Sequence, residues 1–440
     1  MRTSTFWTRA VATLLLLLAI PAFYVGPAVA VAYSAAIIGV TLWAVSERDL
    51  SLPLGLQANT ITNLIPTIHA ALDIVVRELV GYIPAVSQDF RAENVGINQN
   101  VNSPVAPVVT TSNIVPGQTP PDDGDQTFDN VQVTITKSKY APVRWSGEEQ
   151  IIVNQTGVYG PLVVDQFAQA FRALVNEIEV DLGTAAYQGA SRAYGTPGTA
   201  PFGTAGNMDD LAQPYKILDD NGMPKPGRQV VLGTTAMANI RGKQSNLFKV
   251  NEAGTADLLR QGILGGPLLG WSVRDSAGVQ TPTKGTGSAY TTTAAGFAVG
   301  TTSIPLITGS GTILAGDVVT FAGDTNKYVV GTGISAPGTI VLNKPGLRVA
   351  IPAAATAVTV GNTAAQNSAF VRSAIVLATR LPAMPKEGDM AADMSTITDP
   401  ISGLTFQLAL YKLYRRIRYE IGLSWGFKVV KSEGVANLLG

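Results

Sequence analysis

The chain closes on RYEIGLSWGFKVVKSEGVANLLG, residues Arg418–Gly440, and the pattern in this stretch decides what kind of fold must stand behind it. Ile417, Tyr419, Ile421, Leu423, Trp425, Phe427 and Val429 fall on one side of an extended chain. Arg416, Arg418, Glu420, Gly422, Ser424, Gly426 and Lys428 fall on the other. Period-two alternation over this length marks a strand with one dry and one wet face. Just upstream, DPISGLTFQLALYKLYRRIRYEI (399–421) holds a turn at Asp399–Gly403 and a strand with Leu404, Phe406, Leu408 and Leu410 on one face. The apolar parity slips between Tyr414 and Ile417. A turn or bulge is expected there, because a shift of one residue sends every side chain to the opposite face. Lys412, Arg415, Arg416 and Arg418 form a basic cluster that suits phosphate contacts. Edge charges that discourage wrong strand pairing are the simpler explanation. These strands offer packing and charge and no chemistry.

Composition narrows the function in the same direction. The 440 residues are 46% apolar and only 14% charged, against roughly one quarter charged in ordinary soluble domains. That length suits about two or three domains. Formal net charge is zero, so no global field draws in nucleic acid, and the scarcity of charge favours self-association. Cysteine is absent, which removes disulfides, thiolate metal sites and a Cys nucleophile. Histidine occurs once, at His69, which excludes a multi-His zinc site and leaves a Ser-His-Asp triad one candidate base. His69 lies in a predicted helix with no partner in sight and reads as a surface or packing residue. No catalytic, cofactor-binding or metal-binding residue is assigned, no cofactor is expected, and the chain is read as not an enzyme.

Working back from the end, residues 281–365 are poor in helix signal and rich in Gly, Thr, Ala and Val, with six charges at Lys284, Asp317, Asp324, Lys327, Lys344 and Arg348. Short runs such as DVVTFAG, KYVVGTG and TIVLNK between turn signals read as a small barrel or sandwich. On both sides the texture is α/β. MDDLAQPYKILDDNG and TTAMANIRG read as helices and RQVVLG as a buried strand, while SAFVRSAIVLATRLP resumes after the module. The β module therefore reads as an insertion into a host domain. GILGGPLLGWSV is Gly-rich but follows neither phosphate-loop spacing.

The clearest single element begins at Pro161, a residue suited to a first helical turn. Val164, Phe167, Ala168, Phe171, Leu174, Val175, Ile178 and Leu182 form one apolar stripe running toward Ala186. Glu177 and Glu179 invite an acid–base reading. Two apart on a helix they do not face each other, and a solvated face is expected instead. Before the helix, residues 97–150 read as a long β-hairpin with a polar tip near Pro120–Asp125, whose acidic residues lack the spacing of an EF-hand calcium loop. Before that, ANTITNLIPTIHAALDIVVRELVGYIPAV (58–86) reads as a helix ended at Gly81 and Pro84. No charged residue occurs between Arg9 and Glu47, so residues 1–56 look signal-like, membrane-like or the product of a mis-set start.

This order of elements resembles the major coat proteins of tailed phages, in particular the Salmonella podophage coat family, whose Hong Kong 97-type capsid fold carries an inserted β-barrel domain. The resemblance is carried by ANTITNLIPTIHAALDIVVRELVGYIPAV, ILAGDVVTFAG, SAFVRSAIVLATRLP and DPISGLTFQLALYKLYRRIRYEIGLSWGFKVVKSE, and spans about Ala58 to Leu439. It implies an α+β fold with an N-arm at 57–96, an extended E-loop hairpin at 97–150, and a spine helix and α/β capsid core at 151–280. The inserted barrel would take 281–365 and the closing strands of the core 366–440. It implies a major capsid protein that self-assembles as pentamers and hexamers into an icosahedral head around double-stranded DNA, without sequence-specific binding. Scaffolding protein and portal are the implied partners, the virion the location and the host cytoplasm the place of assembly. Residues 1–56 have no counterpart in that family and read as an extension, a fusion or an upstream start. The alternative is an exported or membrane-anchored β-rich surface protein, supported by residues 1–46.

Overall fold

The computed structural model describes residues 81–105, 129–155, 159–244, 267–399 and 402–440, together with Ile68, Ala71, Asn113 and Pro116. The N-terminal extension, His69, the polar hairpin tip and most of the Gly-rich stretch lie outside the described residues.

One core is organised around a single long helix, Tyr159–Gly189, which starts two residues before Pro161. Its stripe is buried as the 3.6-residue period requires: Phe167, Phe171, Ile178, Leu182 and Ala186 are fully buried, and Leu174 and Val175 nearly so. Against that stripe lies a six-stranded sheet. Strand Ser87–Val95 runs parallel to Ile375–Pro382, which pairs antiparallel with the far end of the closing strand Arg416–Val429. The near end pairs on one edge with Thr405–Leu413, itself flanked by Asp393–Thr398, and on the other edge with Lys137–Ser146. Phe171 meets Phe406 edge-on at 4.9 Å and Phe167 meets Tyr419 at 5.5 Å. The helix ends at Gly189, where an added Cβ would stand 2.6 Å from a methyl of Val429. The parity slip is a two-residue turn, Tyr414–Arg415, with Arg415 at φ 55° and Leu413 opposite Arg416.

The closing strand departs from simple alternation. Residues 421–426 are buried on both faces. Ile421, Leu423 and Trp425 face the helix, and the supposed wet face is covered by the chain running from the hairpin into Lys137. Val133, Ile135, Val376 and Ala378 form a second small core there. Gly426 permits this approach, while Gly422 lies under Pro382. A Cβ on Gly426 would lie 2.1 Å from Thr134 O, and Ser424 Oγ hydrogen-bonds Ser138 Oγ at 2.8 Å.

The hairpin is narrower than the span 97–150 suggested. Asn100–Val105 pairs with Asp129–Thr134 as a two-stranded ribbon that joins neither larger sheet, while Lys137–Ser146 belongs to the six-stranded sheet. Pro84 lies in the short helix Tyr82–Ala85, which follows a non-helical Gly81; the rest of the helix expected over 58–86, apart from Ile68 and Ala71, lies outside the described residues.

A second sheet sets Arg192–Tyr194, Val435–Leu439, Gln366–Val371, Arg228–Leu232 and Trp271–Asp275 side by side. Helices Asp209–Asp220 and Thr234–Lys243 pack on it around Trp271, Leu218 and Ile240. The chain leaves this sheet after Asp275 and re-enters at Gln366, whose N–H donates to Gln280 O at 2.9 Å. Between these points six strands close into a barrel: Val318–Phe321 pairs with both Lys327–Thr332 and Ala357–Val360, and the ring is completed through Tyr290–Thr292, Ser303–Ile307 and Thr339–Leu342. Tyr290, Ile304, Leu306, Phe321, Val330 and Ile340 fill it. Lys327 and Tyr328 pair with Ala193 and Arg192, so the barrel continues edge to edge into the second sheet.

Candidate functional site

The long helix presents its two neighbouring glutamates to different surroundings. Glu177 is half-buried and faces the six-stranded sheet's edge, where Lys137 Nζ and Lys139 Nζ approach it at 2.8 and 2.6 Å. Lys137 also reaches Asp181 at 2.8 Å, and Asp181 accepts the indole N–H of Trp425 at 2.9 Å. Burial pulls the Lys137 ammonium down, but Asp181 and Glu177 outweigh it and hold the group above its ordinary value. These bonds tie the strand that carries the hairpin to the helix.

Glu179 corrects the expectation of a solvated face, being only 2% exposed. Its Oε2 accepts from Tyr82 N (2.9 Å), Gly81 N (3.3 Å) and Ser276 Oγ (2.6 Å), and its Oε1 from Ile83 N (2.8 Å). One carboxylate thus joins the N-terminal turn, the long helix and the loop that leads toward the barrel. Burial pushes its pKa up, against the four donors that pull it down. Close contact makes this junction possible: a Cβ on Gly183 would meet Gly278 O at 2.4 Å, and one on Gly81 would meet Asp275 O at 2.6 Å. The position was readable from the sequence, since 179 lies four residues after Val175 and three before Leu182, on the flank of the apolar stripe.

Of the basic cluster, Lys412, Arg415 and Arg416 stand exposed around the turn. Arg418 is separate from them. It lies half-buried over the Tyr140 ring, 5.1 Å from its centroid, and pairs with Glu420. The edge-charge explanation does not hold for Arg416 and Arg418, because their strand is paired on both sides.

Where the barrel joins the second sheet there is a polar cleft of about 770 Å³ lined by Arg192, Tyr194, Asp209, Asp210, Asp220 and Lys327. Arg192 is buried, and its guanidinium is held by Asn326, Asp220, Asn221 and the carbonyl of Ile217 at 3.2–3.3 Å. Charge is balanced inside the chain itself. Among the described residues no group of three or more His, Cys, Asp or Glu is placed to hold a metal ion, and no helix is long and apolar enough to cross a membrane. The remaining distinctive surface is apolar: Ile151, Ile152, Leu413 and Tyr414 are 54–87% exposed.

No family model matches the chain, and no curated protein matches it. Similar chains do occur among solved structures. One is from Mycobacterium phage Che8, at 15% identity and a TM-score of 0.38, covering 80% of this chain and 92% of that one. Another is from the capsid of Cyanophage P-SCSP1u, at 11% identity and a TM-score of 0.40, covering 81% and 86%. A third is from a virus-like particle of Pyrococcus furiosus, at 8% identity and a TM-score of 0.36, covering 85% and 98%.

Proposed function

We propose that this chain is the major capsid protein of a tailed phage, a structural protein that associates with copies of itself to form an icosahedral head. The observation that carries the proposal is the ribbon Asn100–Val105/Asp129–Thr134, which pairs with neither larger sheet. The base of the ribbon packs on the six-stranded sheet through Val133, and the remainder of a two-stranded ribbon, at best marginal alone in water, gains a partner surface when laid across another subunit. The exposed isoleucines and tyrosine support the same reading, since large apolar side chains clustered on a surface mark contact sites.

In this proposal the fold is of Hong Kong 97 type, with the ribbon Asn100–Val105/Asp129–Thr134 and the residues between its strands as the E-loop, 159–189 as the spine and 57–96 as the N-arm. The closed barrel within 281–365 is the inserted domain, an arrangement like that of the Salmonella podophage coat family. Double-stranded DNA is enclosed without being read, scaffolding protein and portal take part in assembly, and the host cytoplasm is where it happens. The work of the chain is structural, with no catalytic step. Sedimentation and negative-stain microscopy of the expressed chain, alone and with a co-expressed scaffold, test this. Closed shells are expected from the intact chain. Removal of Thr119–Gln126 is expected to leave soluble subunits that no longer close shells. Intact chains that remain single globules under every condition would refute the proposal.

A further inference from the structure

At one end of the six-stranded sheet the turn Tyr414–Arg415 stands beside the short helix Gly147–Gln155, with Gly147 N donating to Arg415 O at 3.1 Å. Between them runs a groove of about 710 Å³ lined by Trp145, Ile151, Leu413, Tyr414, Arg416 and Ile417. Tyr414 is 87% exposed, and Ile152, Ile151 and Leu413 are 64%, 61% and 54% exposed.

The helix is unusual in what it lacks. Among its described side chains only Gln150 is even half-buried, and none belongs to a core. A helix this short has little stability of its own, and surface helices normally turn their apolar side chains onto a core. This one is fixed at its start by a reciprocal cap: Ser146 N donates to Glu149 Oε2 at 2.7 Å and Glu149 N to Ser146 Oγ at 3.2 Å. Ser146 is held in turn opposite Arg416 in the sheet. The chain therefore holds two isoleucines in place and leaves them uncovered.

The charges around the groove indicate the occupant. Lys412, Arg415 and Arg416 lie on the turn, and the exposed Glu148 lies at the start of the helix across from it. A phosphate ligand would suit the turn, but not the carboxylate and isoleucines in the same patch. Both signs of charge and an apolar centre on one surface make that surface complementary to itself. We propose that the turn Leu413–Arg416 of one copy seats in this groove of a second copy, Tyr414 against Ile151 and Ile152 and Arg415 toward Glu148. The inference rests on the self-association proposed above and adds the contact that accomplishes it.

The test uses the full chain, with assembly yield read by sedimentation velocity and electron microscopy, and urea midpoints as a control for folding. Tyr414→Asp, Arg415→Glu and Glu148→Arg each change an exposed side chain, so midpoints should stay at the wild-type value. Each single change should lower assembly yield at least tenfold, and Arg415→Glu with Glu148→Arg together should recover most of it. Wild-type yields from Tyr414→Asp, or a double variant no better than Arg415→Glu alone, overturn the docking while leaving self-association standing. Loss of DNA binding in Arg415→Glu with assembly intact would assign the turn to nucleic acid and also overturn it. A wild-type chain that never assembles removes both proposals together.

Discussion

Glu179 ties three separate segments of the chain together through one buried carboxylate, and its replacement has a definite expected cost. Glu179→Ala removes the acceptor from three backbone amides and one hydroxyl. A buried donor left unsatisfied costs about 1–3 kcal/mol. Ser276 can rotate to another acceptor, and water entering the vacated space answers part of the rest. Relief of the carboxylate's own burial offsets a further share, leaving about 3 kcal/mol against a typical total of about 5–15. Glu179→Gln keeps the volume and an oxygen at the Oε2 position with its three donors, but turns an amide N–H toward Ile83 N–H, at about 1–2 kcal/mol. Urea unfolding followed by the fluorescence of the fully buried Trp271 and Trp425 should rank wild type above the glutamine variant and that above alanine. An alanine variant within about 0.5 kcal/mol of wild type, or a glutamine variant no better than alanine, would refute the assigned role. The pH dependence is a second check. With the folded pKa above the ordinary 4.5, folding favours the neutral acid, so the group's stabilising contribution is full below pH 4.5 and lost as pH rises through the folded value. Wild type should therefore gain on Glu179→Gln as the solution is acidified. The opposite slope would mean that the four donors outweigh burial.

Two other substitutions probe the packing on either side of the sheet. Gly426→Ala sets a Cβ 2.1 Å from Thr134 O and 2.9 Å from Ile135 Cα, backbone atoms that cannot rotate away. Overpacking of this kind costs about 1–3 kcal/mol, and faster amide exchange at residues 131–136 with unchanged protection in the long helix is the expected signature; unchanged exchange at 131–136 would contradict the close crossing. Phe171→Asp places a charge in the fully buried contact with Phe406 and should yield no folded chain, since an unpaired buried charge costs several kcal/mol. A soluble variant with a cooperative unfolding transition would show that the stripe does not form the core.

What the sequence disclosed and what it hid divide along the range of the interactions. The long helix was legible because its period is local, and each of Phe167, Phe171, Leu174 and Ile178 is placed by its neighbours three and four residues away. The short strands of the barrel were legible for the same reason, but not the closure of Val318–Phe321 onto both Lys327–Thr332 and Ala357–Val360, because alternation names a strand's faces and not its partners. The closing strand shows where a local pattern misleads. Its odd residues face the helix as expected, yet its even face, with Gly422, Ser424 and Gly426, is dry as well, because Thr134 and Ile135 cross over Gly426 and Pro382 packs against Gly422. Three small residues at alternate positions were the available sign, since a water-facing strand has no need of glycine and a close backbone crossing does. Residues 151, 152 and 414 show the converse: large apolar side chains at positions where the fold supplies no cover. Small residues on a face expected to be wet mark cover that comes from the same chain, and large ones left in water mark cover that comes from outside it. The two mismatches are one physical principle acting at different ranges: an apolar chain so poor in charge buries a strand of its sheet on both faces and still leaves a greasy turn at that sheet's end, the surface that the proposed docking would cover.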